Sequence, residues 1–140
     1  MRAFILEVKE SLMNATGSIL VVEDEPLILD VIQDELMDYG FDVLPAQSGA
    51  EALAIINQRP AIAALMTDIM LGKGPDGWSV AEAFRSVYPT APVVYVSGYV
   101  PGATRKVPGG VFFNKPYRLA VVAATLKALL VVERHDEERR

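Results

Sequence analysis

Apolar residues fall into two textures along the chain, short β-branched runs and longer stretches at helical spacing. Ser18-Ile19-Leu20-Val21-Val22 is a continuous apolar run that ends abruptly in Glu23-Asp24-Glu25, the pattern of a strand buried on both faces. Pro26 suits the first turn of a helix. Leu27, Val31, Leu36 and Tyr39 carry the apolar stripe of that helix, and Gly40 is placed to stop it in a left-handed cap. Phe41 to Ala46 reads as a second strand. Ser48-Gly49-Ala50-Glu51 has capping-box spacing, and Ala52, Leu53, Ile55 and Ile56 follow before Arg59-Pro60 breaks the helix. A third strand, Ile62 to Thr67, ends at Asp68.

Ile69 to Asp76 is a loop by its Gly-Lys-Gly-Pro content, and Gly77 to Tyr88 returns to helical spacing through Val80, Ala83, Phe84 and Val87. Pro92 to Val96 predicts a fourth buried strand, ending at Ser97. From Gly98 to Gly110 the breakers are too dense for more than a turn of helix. Val111-Phe112-Phe113 makes the fifth strand and runs into Asn114-Lys115-Pro116. The final helix, Leu119 to about Val132, has Leu119, Val122, Ala123, Leu126, Leu129 and Leu130 on one face, with Val121, Ala124, Ala128, Val131 and Val132 elsewhere. So broad an apolar girth offers a partner surface, including one for a second copy of the chain. Glu133 to Arg140 reads as a frayed charged tail. Ahead of the first strand, Phe4, Ile5, Val8 and Leu12 fit a short amphipathic helix in an extension over residues 1–17, a disordered leader being the plainer alternative.

Five strands alternating with helices call for one parallel sheet covered on both faces. The domain spans residues 18–132, with no output domain expected after it. At 140 residues the chain has no cysteine, which excludes disulfides, thiolate metal sites and cysteine nucleophiles, and its single histidine, His135, lies in the charged tail. A formal net charge of -5 argues against direct nucleic-acid binding. No apolar run is long enough to cross a bilayer, so a cytoplasmic, membrane-free protein is expected.

Ligands of such sheets sit beyond the carboxyl ends of the strands, and there the sequence places Glu23 and Asp24, Asp68, Ser97 and Lys115. Three crowded carboxylates repel one another unless a cation is present. An oxygen-only cluster beside a lysine suits Mg²⁺, with Mn²⁺ as the alternative. A phosphoryl group placed here meets the metal, the Lys115 ammonium and the Ser97 hydroxyl, with Asp68 as nucleophile. Taken singly, each of these residues has a duller reading as a helix cap, a turn residue or a solvated lysine. Their convergence on one sheet edge lifts the set above those readings.

The stretches Ile19 to Pro26, Met66-Thr67-Asp68-Ile69, Val94 to Tyr99 and Phe112 to Pro116 together resemble the receiver domain of bacterial two-component response regulators. The resemblance implies a flavodoxin-like doubly wound (βα)5 fold, here with a short or irregular fourth helix. It implies a non-enzymatic signalling phosphoprotein in which Asp68 takes a phosphoryl group from a phosphohistidine of a histidine kinase or phosphotransfer protein. Asp24, Asp68 and the backbone carbonyl of Met70 would bind Mg²⁺ directly, and Glu23 through ordered water. Lys115 would contact the phosphoryl group, Ser97 would be the switch hydroxyl, Phe112 the switch aromatic, and Lys115–Pro116 a cis peptide. The expected role is a stand-alone response regulator acting on a downstream protein target.

The loop after Asp68 departs from the usual pattern by about one residue and carries Gly72 where proline is common. The breaker-rich Gly98 to Gly110 stretch implies a remodelled signalling face, and Met70 and Tyr99 are placed to hinder water at the pocket. Two rival classes remain. A phosphorylation-independent adaptor would keep the fold alone, and a phosphatase of the haloacid dehalogenase type would need the DxDx pattern that Glu23-Asp24-Glu25 lacks.

Overall fold

A computed structural model describes residues 17–98 and 105–138, with side chains to residue 133. The elements are β1 (Ser18–Val22), α1 (Pro26–Asp38), β2 (Asp42–Ala46), α2 (Gly49–Asn57), β3 (Ala64–Asp68), α3 (Gly77–Val87), β4 (Val93–Ser97), β5 (Val111–Asn114) and α4 (Leu119–Glu138). All the strands are parallel and stand in the order β2-β1-β3-β4-β5. The order reverses between β1 and β3, the position at which open α/β sheets form a ligand crevice.

Burial follows the strand order. β3 and β4 are buried throughout and β1 in all but its first residue, while β2 and β5 are edge strands with partly open residues. Pro45, which has no N–H to give a ladder, sits in edge strand β2. Two apolar layers result. On one face Leu20, Val22, Leu65, Val93 and Tyr95 meet α2 and α3 through Ile56, Trp78, Val80 and Phe84. On the other, Ile19, Val21, Met66 and Val94 meet α1 and α4 through Leu29, Ile32, Leu36, Val122 and Leu126.

Capping explains the helix starts. Pro26 opens α1 after Glu25. Ser48 Oγ accepts the Glu51 N–H at 3.0 Å, and the Glu51 carboxylate in turn accepts the Gln47 N–H. Asp76, expected in the loop, is the N-cap of α3 and accepts the Ser79 N–H at 2.9 Å.

Three expectations are corrected. The buried stripe of α1 is Leu29, Ile32 and Leu36, whereas Leu27 is 81% exposed and Val31 56%. The helix carries two overlapping apolar stripes, and the one facing β1 and α4 wins. α4 runs on to Glu138 instead of ending near Val132, because no glycine or proline stops it and Glu and Arg are good helix formers. β3 begins at Ala64, not Ile62, leaving Ile62 buried in the approach to it. Between Ser97 and Val111 the described residues contain no helix. Residues 99–104, with Tyr99, lie outside them, as does the extension before Gly17.

Candidate functional site

The carboxyl ends of β1, β3 and β4 and the turn after β5 bring the polar residues together. Asp68, the last residue of β3, is 5% exposed, and Glu23, the first residue after β1, is 2% exposed. Lys115 reaches in from beyond β5, its Nζ donating to Asp68 Oδ2 at 2.6 Å and lying 3.8 Å from Glu23 Oε1. Asp68 Oδ1 accepts the Met70 N–H at 3.2 Å, so both carboxylate oxygens are held by donors on different elements. Glu23 Oε2 accepts the Glu25 N–H at 3.1 Å. Glu23 Oε1 is buried without a hydrogen bond and lies 3.8 Å from the Lys115 ammonium.

Glu23, Asp24 and Asp68 each offer an oxygen within 4.8 Å of the others, a group that could hold a metal ion. The orphaned oxygen and the all-carboxylate donor set fit a hard divalent cation. Asp24 is exposed, and its Oδ2 lies 3.7 Å from where a Cβ on Gly72 would stand. Gly72 has a φ of +71°, a value that proline cannot adopt.

The charges show in the titration of the group. Burial pushes the Glu23 carboxyl above its ordinary value, with the Glu25 N–H bond and the Lys115 charge opposing. Burial alone would depress the Lys115 ammonium, but the hydrogen bond and charge of Asp68, with the charge of Glu23, carry it above its ordinary value. The Tyr117 phenol, also pushed up by burial, lies within the field of Lys115, Glu23 and Asp68.

The loop after Asp68 is held at both ends. Thr67 Oγ1 donates to Asp68 O at 2.8 Å, the Ile69 N–H donates to Val96 O at 3.2 Å, and the Gly77 N–H donates to Ile69 O at 2.8 Å. A Cβ on Gly77 would stand 2.1 Å from Asp68 O, so the start of α3 rests directly on the backbone of Asp68. Ile69 and Leu71 are buried, while Met70 is 72% exposed beside the site.

Ser97 is 1% exposed at the end of β4, and its carbonyl accepts the Lys115 N–H at 2.9 Å. The Lys115–Pro116 peptide is cis. Phe112 is half-buried, stacked on Tyr95 with ring centroids 5.0 Å apart and edge-on to Trp78 at 5.5 Å. The sequence reading passed over Tyr95. Its period-two spacing from Ser97 was the available signal, since it puts both side chains on one face of β4. The Tyr95 hydroxyl accepts the Val107 N–H at 3.1 Å, Arg85 donates to Pro108 O at 2.6 Å, and Arg105 donates to Glu82 at 2.8 Å and lies 3.5 Å from Asp76. Residues 105–110 are thus tied to β4 and α3 without forming a helix.

Residues 19–107 match the family model of the response regulator receiver domain. Over 82 residues the chain is 35% identical to an NtrX-like response regulator of Rickettsia conorii, covering 58% of this chain and 17% of that one. It is 28% identical over 122 residues to the sensor kinase CckA of Brucella abortus, covering 84% of this chain and 13% of that protein. The chain therefore spans a small part of these relatives. Two crystal structures are similar over nearly their whole length. One is a response regulator receiver protein from Sinorhizobium medicae, at TM-score 0.80 and 34% identity over 84% of this chain and 96% of that one. The other is the receiver domain of the hybrid histidine kinase CckA, at TM-score 0.71 and 34% identity over 81% and 99%. Receiver domains are signalling phosphoacceptors that interact with histidine kinases or phosphotransfer proteins. Among the described residues no helix is long and apolar enough to cross a membrane. The parallel five-stranded sheet and the acidic crevice agree with this match, and the chain belongs to the family of response regulator receiver domains.

Proposed function

We propose that this receiver accepts a phosphoryl group on Asp68 from a phosphohistidine of a histidine kinase or phosphotransfer protein, and that the modified form changes affinity for a downstream protein. The observation that carries this reading is the Asp68 carboxylate itself, buried at the sheet edge, bonded by Lys115 at 2.6 Å and grouped with Glu23 and Asp24 within 4.8 Å. A carboxylate oxygen of Asp68 attacks the phosphorus, the P–N bond of the donor breaks, and the imidazole leaves with the electron pair and takes up a proton. Asp68 gains an acyl phosphate.

Glu23, Asp24, Asp68 and the Met70 carbonyl are the groups proposed to hold Mg²⁺, with Mn²⁺ as the alternative and Glu23 acting through water. When bound, the cation offsets the charge of the crowded carboxylates and of the incoming phosphoryl oxygens. Lys115, now paired with Asp68, moves its ammonium to contact a phosphoryl oxygen once Asp68 carries the acyl phosphate. Ser97, fixed at the end of β4, supplies the hydroxyl that turns toward the group. Phe112 is the aromatic that responds, and residues 105–110, tied back to Tyr95 and α3, belong to the face that partners read. Residues 18–132 carry the receiver, with residues 1–17 before it and the charged residues 133–140, into which α4 continues as far as Glu138, after it, and the domain works as a cytoplasmic regulator.

Phosphoramidate, which carries a P–N bond like that of phosphohistidine, tests the chemistry. After incubation with Mg²⁺, borohydride reduction should convert Asp68 alone to homoserine, read by peptide mass. Reduction at another aspartate, or none with the adduct present, would refute Asp68 as the acceptor.

A further inference from the structure

α4 is apolar on the side that faces away from the sheet as well as on the side that faces it. Val122, Ala123, Leu126 and Leu130 are buried in the core. At about 100° per residue, Val121, Ala124, Ala128 and Val132 share an arc of about 80° on the opposite side of the helix. Val121 is 49% and Val132 59% exposed, and the two alanines are exposed between them. From Leu119 to Val132 the only charged residue is Lys127. Its ammonium lies 5.6 Å from the Tyr39 ring and 5.9 Å from the Phe41 ring, drawn off this face toward the end of α1. A helix that is apolar all round is normally covered all round.

We infer that a second copy of this chain covers the face, the two α4 helices packing antiparallel about a two-fold axis level with Leu126. In that arrangement the face is complementary to itself. Val121 and Val132 lie five and six residues to either side of the axis, and Ala124 and Ala128 two residues to either side. Val121 of one copy therefore meets Val132 of the other, and Ala124 meets Ala128, the small residues at the centre letting the helix axes approach to about 8 Å. The charges at the ends agree. Arg118 is exposed and makes no ion pair among the described residues. It comes level with Glu133 of the second copy, whose carboxylate is placed by the Thr90 hydroxyl at 2.9 Å. A parallel pair would instead set each Arg118 against the other. The face runs from Leu119 to Val132, about 21 Å of helix. One helix pair of that length buries less than the about 1,200 Å² of a stable interface, so the dimer is weak and dissociates in the micromolar range.

The absence of native cysteine permits a direct test in the full-length chain. Val121→Cys and Val132→Cys proteins of distinguishable mass are mixed at high micromolar concentration and oxidised mildly. Val121→Cys mixed with Ser86→Cys, a position exposed on α3 across the sheet, is the control. The expected product is the 121–132 disulfide, forming about tenfold faster than the 121–121, 132–132 or 121–86 products. Like positions on the antiparallel helices stand about 16 Å apart, beyond the reach of a disulfide. Ala128→Glu in both proteins should remove the preference, and sedimentation of the unmodified chain should rise toward twice the monomer mass between low and high micromolar concentration. Equal rates for all pairs, preferred 121–121 cross-linking, or a chain that stays monomeric at high micromolar concentration would overturn the inference.

Discussion

Replacing Gly77 with alanine puts a methyl group where the start of α3 touches the end of β3. The added Cβ would lie 2.1 Å from Asp68 O, 2.7 Å from Ile69 Cα and 2.9 Å from Asp68 C, against 3.4 Å or more for an ordinary contact. All three are backbone atoms of the loop that carries the acceptor, so no side chain can swing away and the helix start or the strand end must move by more than 1 Å. Overpacking of this kind costs about 1–3 kcal/mol, and a rigid backbone neighbour puts it at the upper end. Alanine returns at most about 1 kcal/mol of helix propensity. The net loss is about 2 kcal/mol, or about 6 °C in Tm for a chain of this size. Displacement of the nucleophile by an ångström should also lower the phosphorylation rate about 100-fold. Gly74→Ala is the matched control, since its φ of +88° makes alanine strained while nothing lies within 4 Å of the new Cβ; it should lose about 1–2 kcal/mol and keep a near-native rate. Thermal melts and acetyl phosphate kinetics on both variants decide the matter. A Gly77→Ala protein that melts at or above the wild type and phosphorylates normally would refute the seating of α3 on Asp68.

Lys115→Ala removes the ammonium bonded to Asp68 and should slow phosphorylation about 100- to 1,000-fold while the far-ultraviolet spectrum stays native. Tyr95→Phe should lose about 1–3 kcal/mol at neutral pH, because the buried Val107 N–H loses its acceptor. Burial raises the Tyr95 phenol above its ordinary 10.0 despite the opposing Val107 bond. The folded state therefore holds its proton more tightly, and the stability present below pH 10 is lost as pH rises through the raised value. Urea titrations should show the wild type falling more steeply than Tyr95→Phe above about pH 10, and parallel curves would contradict that assignment. Arg105→Ala breaks an exposed network, so Tm should move by only about 1–3 °C, whereas proteolysis near residues 105–110 should speed up. Met70→Asn should accelerate loss of the phosphoryl group if the exposed Met70 side chain screens it from water, and an unchanged dephosphorylation rate would count against that role.

The fold was legible where one signal dominated. The runs at Ile19 to Val22 and Val93 to Val96 are buried from end to end, and no helix of that composition could be so short and so bounded. α1 was harder, since Leu27, Ile28, Leu29, Val31, Ile32 and Leu36 support two stripes on different sides of the helix. Only the neighbouring β1 and α4 choose Leu29, Ile32 and Leu36. The far end of α4 was misread because charge was taken as a stop signal, although nothing in Glu133 to Glu138 breaks a helix.

At the site, Glu23, Asp24, Asp68 and Lys115 were readable because each ends a strand or follows one, and parallel topology carries such positions to a common edge. Tyr95 and Arg105 were not singled out. The contacts of Tyr95 with Val107 and of Arg105 with Glu82 span a segment without regular structure, and no sequence period encodes such contacts. Asp76 was hidden among the loop glycines, although an aspartate before an apolar helical run is a common cap.

The central claim is that Asp68 is a Mg²⁺-dependent phosphoacceptor. Intact mass after incubation with acetyl phosphate, with and without Mg²⁺, on the wild type and on Asp68→Asn, tests it most directly. A single phosphoryl adduct that needs both Mg²⁺ and Asp68 is the predicted result. An adduct that survives Asp68→Asn, or a wild type that binds Mg²⁺ and beryllofluoride yet never gains the phosphoryl mass, would contradict it.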